Sequence, residues 1–295
     1  MRIGFIGVGN MGGPMCRNLA RNVNHEVVVF DLDPGAVEAC VAAGAKPAEG
    51  LAALSGSCEV IFTSLPTPRH VEAVVNGPGG IAAEAKRGTV VFDLSTNAPA
   101  VVKRLEAELK AKGITLLDSP VTGGVPRAED ATIVVMVGGD EAAFEAHRPL
   151  LKAFSGTIVH TGPIGSASVA KLINNMMALC NSAVAMEAMA IATMAGVDMK
   201  KVAEIVSNGS GDSAAFRGLM RRGLAGEFKA SFALDLAYKD LGLAVDLAAE
   251  HGVPGMVAPQ VLNLMRIARG LGLGGMDSSA SLQVYEKVLG REVRV

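Results

Sequence analysis

The sequence predicts an α/β protein with an N-terminal Rossmann-type doubly wound sheet over residues 1–163 and a C-terminal all-α domain over residues 164–295, the two joined by a long helix. Three observations predict this. Up to about residue 160, short β-branched runs alternate with longer Ala-rich, helix-forming segments, as in stacked βαβ units around a parallel sheet. Beyond Gly162 the strand patterns stop, and helical stretches are broken by Gly and Pro at Gly196, at Gly252-Val253-Pro254 and at residues 272–275. A chain of 295 residues is also at the size where one core gives way to two.

The expected strands are Arg2 to Gly7, Glu26 to Asp31, Val60 to Leu65, Val90 to Asp93, Thr115 to Asp118, Ile133 to Val137 and Ile158 to His160. Many end at Gly, Asp, Ser or Pro, the residues that shape ligand-binding loops beyond the carboxyl ends of strands in open α/β sheets. From Ser166 to Ala195 no Gly or Pro intervenes, so one helix of about thirty residues and roughly 45 Å is expected to connect the domains. Its most apolar part, Met176 to Ala195, contains Asn181, Ser182 and Glu187 and is rich in Ala and Met, which reads as a buried helix and not as a membrane span.

Half of the residues are apolar, and 27 Lys plus Arg nearly balance 29 Asp plus Glu, so neither a nucleic-acid nor a membrane partner is expected. The chain runs from Met1-Arg2 directly into the first strand, which leaves no room for a signal peptide and makes a cytoplasmic location the expectation. Cys16, Cys40, Cys58 and Cys180 form no Cys-x-x-Cys pair and read as reduced thiols. His25, His147, His160 and His251 are not clustered with carboxylates, so metal-independent chemistry is expected; Arg69 and His70 stand near the Leu65-Pro66 strand end, either bordering its loop or as solvated loop residues.

Gly7-Val8-Gly9-Asn10-Met11-Gly12 follows the first strand and opens a helix. At this spacing Gly7 permits the tight turn, Gly9 lets the backbone approach a pyrophosphate, and Gly12 allows close helix packing, with the phosphates on the helix N-terminus. Nineteen residues past Gly12, Asp31 ends the second strand, where a carboxylate can accept hydrogen bonds from both adenosine ribose hydroxyls. A 2′-phosphate would be repelled there by Asp31 and Asp33, and Leu32 offers it no guanidinium, so NAD is expected over NADP.

Three further motifs resemble, in order and spacing, those of the β-hydroxyacid dehydrogenases, the group containing 3-hydroxyisobutyrate dehydrogenase and tartronate semialdehyde reductase. Asp118-Ser119-Pro120-Val121-Thr122-Gly123-Gly124 resembles the family's substrate loop. Gly162-Pro163-Ile164-Gly165 with Lys171-Leu172-Ile173-Asn174-Asn175 resembles its catalytic segment, and Phe232 to Leu241, ending Tyr238-Lys239-Asp240-Leu241, its C-terminal signature. The resemblance covers essentially the whole chain. It implies hydride transfer between NAD(H) and a short 3-hydroxy acid or its semialdehyde, with Lys171 as general acid/base and Asn175 positioning the substrate.

For neutral Lys171 to act as a base near neutrality, its pKa must fall from about 10.4 through desolvation or a nearby cation. Lys171 and Asn175 are four residues apart and share a helix face. The hydroxyl and backbone N–H groups of Thr122-Gly123-Gly124 suit a substrate carboxylate. Thr122 stands where the family usually has Ser, which keeps the hydroxyl and adds a methyl. By resemblance, Lys239 approaches both cofactor and substrate, Leu65, Pro66 and Thr96 border the cofactor, and the protein assembles as a homodimer or homotetramer. Selectivity is expected from Ser207 to Arg217, through Asp212 or Arg217. The alternatives are a reductase of a non-carboxylate aldehyde or imine on the same architecture, and a cofactor-bound scaffold without catalysis; the retained Lys171 weighs against both.

Overall fold

The computed structural model describes all 295 residues and divides into two compact units, Met1–Lys171 and Leu172–Val295, with the division inside one helix. The first unit contains β1 (Arg2–Ile6), α1 (Gly12–Asn22), β2 (Glu26–Phe30), α2 (Pro34–Val41), β3 (Lys46–Pro47), α3 (Leu51–Ser57), β4 (Val60–Thr63), α4 (Pro68–Asn76), α5 (Ile81–Glu84) and β5 (Val90–Asp93). It continues through α6 (Pro99–Lys110), β6 (Thr115–Asp118), β7 (Val121–Thr122), α7 (Gly124–Glu129), β8 (Ile133–Gly138), α8 (Glu141–Lys152) and β9 (Ser155–Gly162) into the start of α9 (Ser166–Met194).

The sheet order is β3-β2-β1-β4-β5-β6-β8-β7, with β9 on β8. From β3 to β6 every pairing is parallel. The parallel sheet that the sequence predicts is met over these strands; at its far edge β8 runs antiparallel to β6 and β7, while β9 is parallel to β8. A parallel return needs a crossover of a dozen or more residues. The β7–β8 connection is shorter than that and permits the antiparallel pairing. Strand order reverses between β1 and β4, so the crevice outside their carboxyl ends is the topological switch point at which open α/β sheets bind ligands.

The period-2 alternation of the strands explains both faces of the sheet. Phe5, Phe62 and Phe92 lie side by side on β1, β4 and β5, with ring centroids 5.8 and 5.2 Å apart, and join Met15, Leu19 and Phe144 in one core. The intervening residues Ile6, Ile61, Val91 and Leu116 face the other way, onto Leu54, Val71, Val102 and Leu105. Each fully buried aromatic or aliphatic side chain contributes about 1.5–3 kcal/mol, so the central strands are strongly held in register.

The second unit holds the rest of α9, then α10 (Met199–Asn208), α11 (Ala214–Arg221), α12 (Leu234–Glu250), α13 (Ala258–Gly270), a 3-10 turn (Ser278–Ser281) and α14 (Leu282–Leu289). Leu179 and Ala183 of α9 pack with Leu234, Leu241, Val261 and Met265, whereas Met186, Met189 and Ala190 pack with Phe216, Leu219 and Leu282. By length and composition α9 could cross a membrane, and 44% of its most apolar window is buried. The sequence expectation of a buried helix therefore holds for part of its circumference only: Ile173, Met177, Val184 and Ile191 are about half or more exposed.

Candidate active site

In the first unit the strand ends bring the Gly7–Gly12 turn, Asp31, Leu65 and Thr96 to the carboxyl side of the sheet. Gly7 has φ +88°, and a Cβ there would lie 2.4 Å from the Ser64 carbonyl oxygen; a Cβ on Gly12 would lie 2.0 Å from the Gly7 carbonyl oxygen. Both glycines are required by the backbone itself. Gly9 is different, because a Cβ on it would meet no atom within 4 Å. Folding does not demand glycine there, but a ligand approaching the backbone would. The N-terminus of α1 carries no side-chain cap, so its N–H groups are not satisfied by a capping residue. This turn fits a dinucleotide pyrophosphate.

Asp31 accepts a 2.6 Å hydrogen bond from the Val8 N–H and a 2.9 Å one from the Asp33 N–H. The residue expected at the adenosine ribose is thereby fastened to the glycine turn, and Leu32 beside it is exposed. A buried carboxylate that sequence reasoning treated only as a strand end, Asp93, organises the next two loops. It accepts from the Thr63 hydroxyl at 2.8 Å, the Ser95 N–H at 3.1 Å and the Asn97 amide at 3.4 Å. The Ser95 hydroxyl then accepts from the Leu65 N–H at 2.9 Å, which links the Leu65-Pro66 loop to the one carrying Thr96. Burial pushes the Asp93 carboxyl above its ordinary pKa, against these hydrogen bonds. An Asp closing a buried strand just before a Ser-Thr-Asn loop was the available signal. His70, exposed, bonds Thr67 at the start of α4 and so belongs to that helix cap.

Thr122 ends β7, and Gly123 and Gly124 follow with φ of +135° and +75°, conformations that glycine adopts without strain. The helix after this loop is tied to the phosphate-binding helix by Asn18, another residue sequence reasoning passed over, whose amide donates to the Ala128 and Glu129 carbonyls at 2.8 and 3.0 Å. Lys171, the last residue of the first unit, lies on the second turn of α9 and is 9% exposed.

In the second unit, Asn175 is buried one helical turn beyond Lys171, and its amide donates a 2.6 Å hydrogen bond to Asp240. Asp240 is buried as well, and its other carboxylate oxygen pairs with the Lys239 ammonium at 2.9 Å. Asn175 and Lys239 are therefore bridged by one carboxylate, which sequence reasoning had noted only as part of a motif. Asp212, in the loop before α11, and Arg217, on α11, expected to supply selectivity, form an ion pair with each other. No group of three or more His, Cys, Asp or Glu side chains suits a metal ion.

Residues 2–162 match the family model described as the NAD binding domain of 6-phosphogluconate dehydrogenase. Residues 165–285 match the one described as NAD-binding of NADP-dependent 3-hydroxyisobutyrate dehydrogenase. The chain is 37% identical over 294 residues to 2-(hydroxymethyl)glutarate dehydrogenase of Eubacterium barkeri, covering 99% of this chain and 97% of that one. It is 34% identical to NAD-dependent L-serine dehydrogenase of Pseudomonas aeruginosa, with 98% and 99% covered. A solved structure, 3-hydroxyisobutyrate dehydrogenase from Salmonella typhimurium, superposes with a TM-score of 0.88 at 30% identity over 96% of this chain and 99% of that one. Glycine turn, strand-end carboxylates and buried lysine thus occur in a chain matched along nearly its whole length, and the chain belongs to the β-hydroxyacid dehydrogenase family of nicotinamide-dependent oxidoreductases that act on hydroxy acids.

Proposed function

We propose that the enzyme interconverts a short 3-hydroxy acid and its semialdehyde, prefers NAD to NADP, and uses Lys171 as its general acid/base. The observation that carries this reading is a lysine buried on α9, one turn before an asparagine whose amide is held by Asp240. The substrates in the relatives' names, 2-(hydroxymethyl)glutarate, L-serine and 3-hydroxyisobutyrate, are all carboxylic acids with a hydroxyl on the third carbon, which supports the substrate class.

Gly7, Val8, Gly9, Asn10, Met11 and Gly12 would hold the pyrophosphate, Asp31 the adenosine ribose, and Leu65, Pro66 and Thr96 the nicotinamide end. The bound cofactor supplies the hydride acceptor for oxidation and the donor for reduction. Thr122, Gly123 and Gly124 bind the substrate carboxylate through a hydroxyl and backbone N–H groups. In oxidation the neutral Lys171 amine takes the proton of the substrate hydroxyl, and in reduction its ammonium returns it. Asn175 orients the reacting hydroxyl or the carboxylate, with its rotation set by Asp240. Lys239 adds a positive charge toward the acid. The NAD preference rests on the Asp31 carboxylate, which would repel a 2′-phosphate. The half-exposed apolar residues Ile173, Met177, Val184 and Ile191 along α9 support a homo-oligomer that covers them.

The test follows reduced-nicotinamide absorbance while short 3-hydroxy acids and semialdehydes are offered with NAD or NADP, to wild type and to Lys171→Ala. The expected result is NAD-preferring turnover of at least one hydroxy acid that falls by a thousandfold or more in the variant, within the range proton transfer by a positioned side chain supplies (about 10²–10⁴). Equal turnover by Lys171→Ala would remove Lys171 from the mechanism.

A further inference from the structure

The helix that carries Lys171 is not capped by its own sequence. The residue before its first turn is Gly165, with φ +87° and no side chain to offer. Helix N-termini leave their first N–H groups unsatisfied unless a side chain accepts from them. Here the acceptor comes from 47 residues earlier. Asp118, at the end of β6 and 1% exposed, accepts from the Gly165 N–H through one oxygen and from the Ser168 N–H through the other, both at 2.8 Å. A two-point attachment by the two oxygens of one carboxylate fixes the rotation of the first turn about the helix axis as well as its height. Lys171 follows Ser168 by three residues, about 4.5 Å along the axis, so little slack remains between cap and lysine.

The surroundings are shaped to admit this carboxylate. Gly138 pairs with Asp118 across β6 and β8, and a Cβ on it would lie 2.4 Å from the Asp118 carboxylate and 2.9 Å from the Ser166 hydroxyl. Only glycine leaves room. Ser166, the first residue of α9, shares a 2.7 Å hydrogen bond with Thr161, so the same turn is also anchored to β9. The substrate loop starts from Asp118 too, since Thr122-Gly123-Gly124 is reached four residues later. One side chain therefore joins the loop assigned to the substrate carboxylate and the helix assigned to the proton.

We propose that Asp118 is a positioning residue for the Lys171 proton transfer: by capping α9 from the end of β6, it sets where the lysine amine stands relative to the substrate loop. The inference rests on the proposed role of Lys171. It goes beyond that role by assigning the lysine's placement to a carboxylate that never meets the substrate.

The test uses the full chain with Asp118→Asn, which keeps size and removes both the charge and one acceptor, and Gly138→Ala, which keeps the charge and displaces the carboxylate. Folded sites are counted by reduced-nicotinamide fluorescence on binding, so that kcat is expressed per cofactor-competent site. The expected result is a kcat per site at least tenfold lower in both variants with cofactor affinity within twofold of wild type. Ile81→Val, a buried core change on α5, supplies a protein of lowered melting temperature whose kcat per site is that of wild type. If kcat per site is unchanged in Asp118→Asn and Gly138→Ala while Lys171→Ala is inactive, Asp118 is a structural cap only and the proposal is overturned. If Lys171→Ala turns over normally, the failure belongs to the lysine assignment. Should Asp118→Asn not fold, Gly138→Ala carries the same kcat criterion.

Discussion

Gly9 and Gly12 stand three residues apart in one motif, yet the structure separates their tasks, and alanine at each should have opposite consequences. At Gly12 the new Cβ would fall 2.0 Å from the Gly7 carbonyl oxygen, about 1 Å inside any approach real Cβ atoms make, and the obstacle is backbone that has no rotamer to change. Overpacking of this kind costs about 1–3 kcal/mol or more. For a domain of this size that is roughly 2–4 °C in melting temperature per kcal/mol. At Gly9 the Cβ would meet no protein atom within 4 Å, so stability should change by no more than about 0.5 kcal/mol. The added methyl instead occupies the surface that the phosphates approach, and cofactor affinity should fall at least tenfold, about 1.4 kcal/mol. Thermal unfolding monitored by circular dichroism, together with fluorescence titration of reduced nicotinamide dinucleotide, reads both quantities on both variants. Wild-type affinity in Gly9→Ala would refute the argument, because the phosphates would then not lie over Gly9.

Asp31→Ser should weaken NAD binding at least tenfold and shift the NAD-to-NADP ratio of kcat/KM toward NADP, measured with both cofactors; because Asp31 also holds the Val8 N–H, some affinity for both cofactors should be lost. An unchanged ratio would count against the assignment of Asp31 to the ribose. A second test concerns acid stability. Burial pushes the Asp277 carboxyl up, but hydrogen bonds from the Ser279 hydroxyl and from the Phe232, Ser231 and Ser279 N–H groups together outweigh it and leave its pKa below the ordinary value. A carboxyl with a lowered folded pKa contributes stability that is fully present above about pH 4 and is lost as pH falls through the folded value. Melting temperature measured between pH 6 and pH 2 should therefore fall less steeply in Asp277→Asn than in wild type, and parallel curves would remove Asp277 as a cause.

The local signals were strong enough to be read directly in the chain. Alternation of β-branched runs marks the central strands because β1, β4, β5 and β6 bury both faces, and the absence of Gly and Pro from Ser166 to Met194 permits one continuous helix. The glycine spacing and Asp31 could be read from short segments whose chemistry depends on their own residues, whereas Lys171 was marked only by resemblance to a family motif. Tertiary structure alone decided what depends on distant partners. The reversed direction of β8 follows from pairing with β6 and β7, which no periodicity within β8 encodes. That α9 keeps an apolar line exposed depends on which faces the other helices cover. Asp93 reads as a strand end until Thr63 and Ser95 are brought to it, and Asp240 as a motif letter until Asn175 lies 2.6 Å away. Asp118 caps a helix 47 residues downstream for the same reason: a hydrogen bond requires about 3 Å between atoms, and only the fold of the intervening chain supplies that proximity.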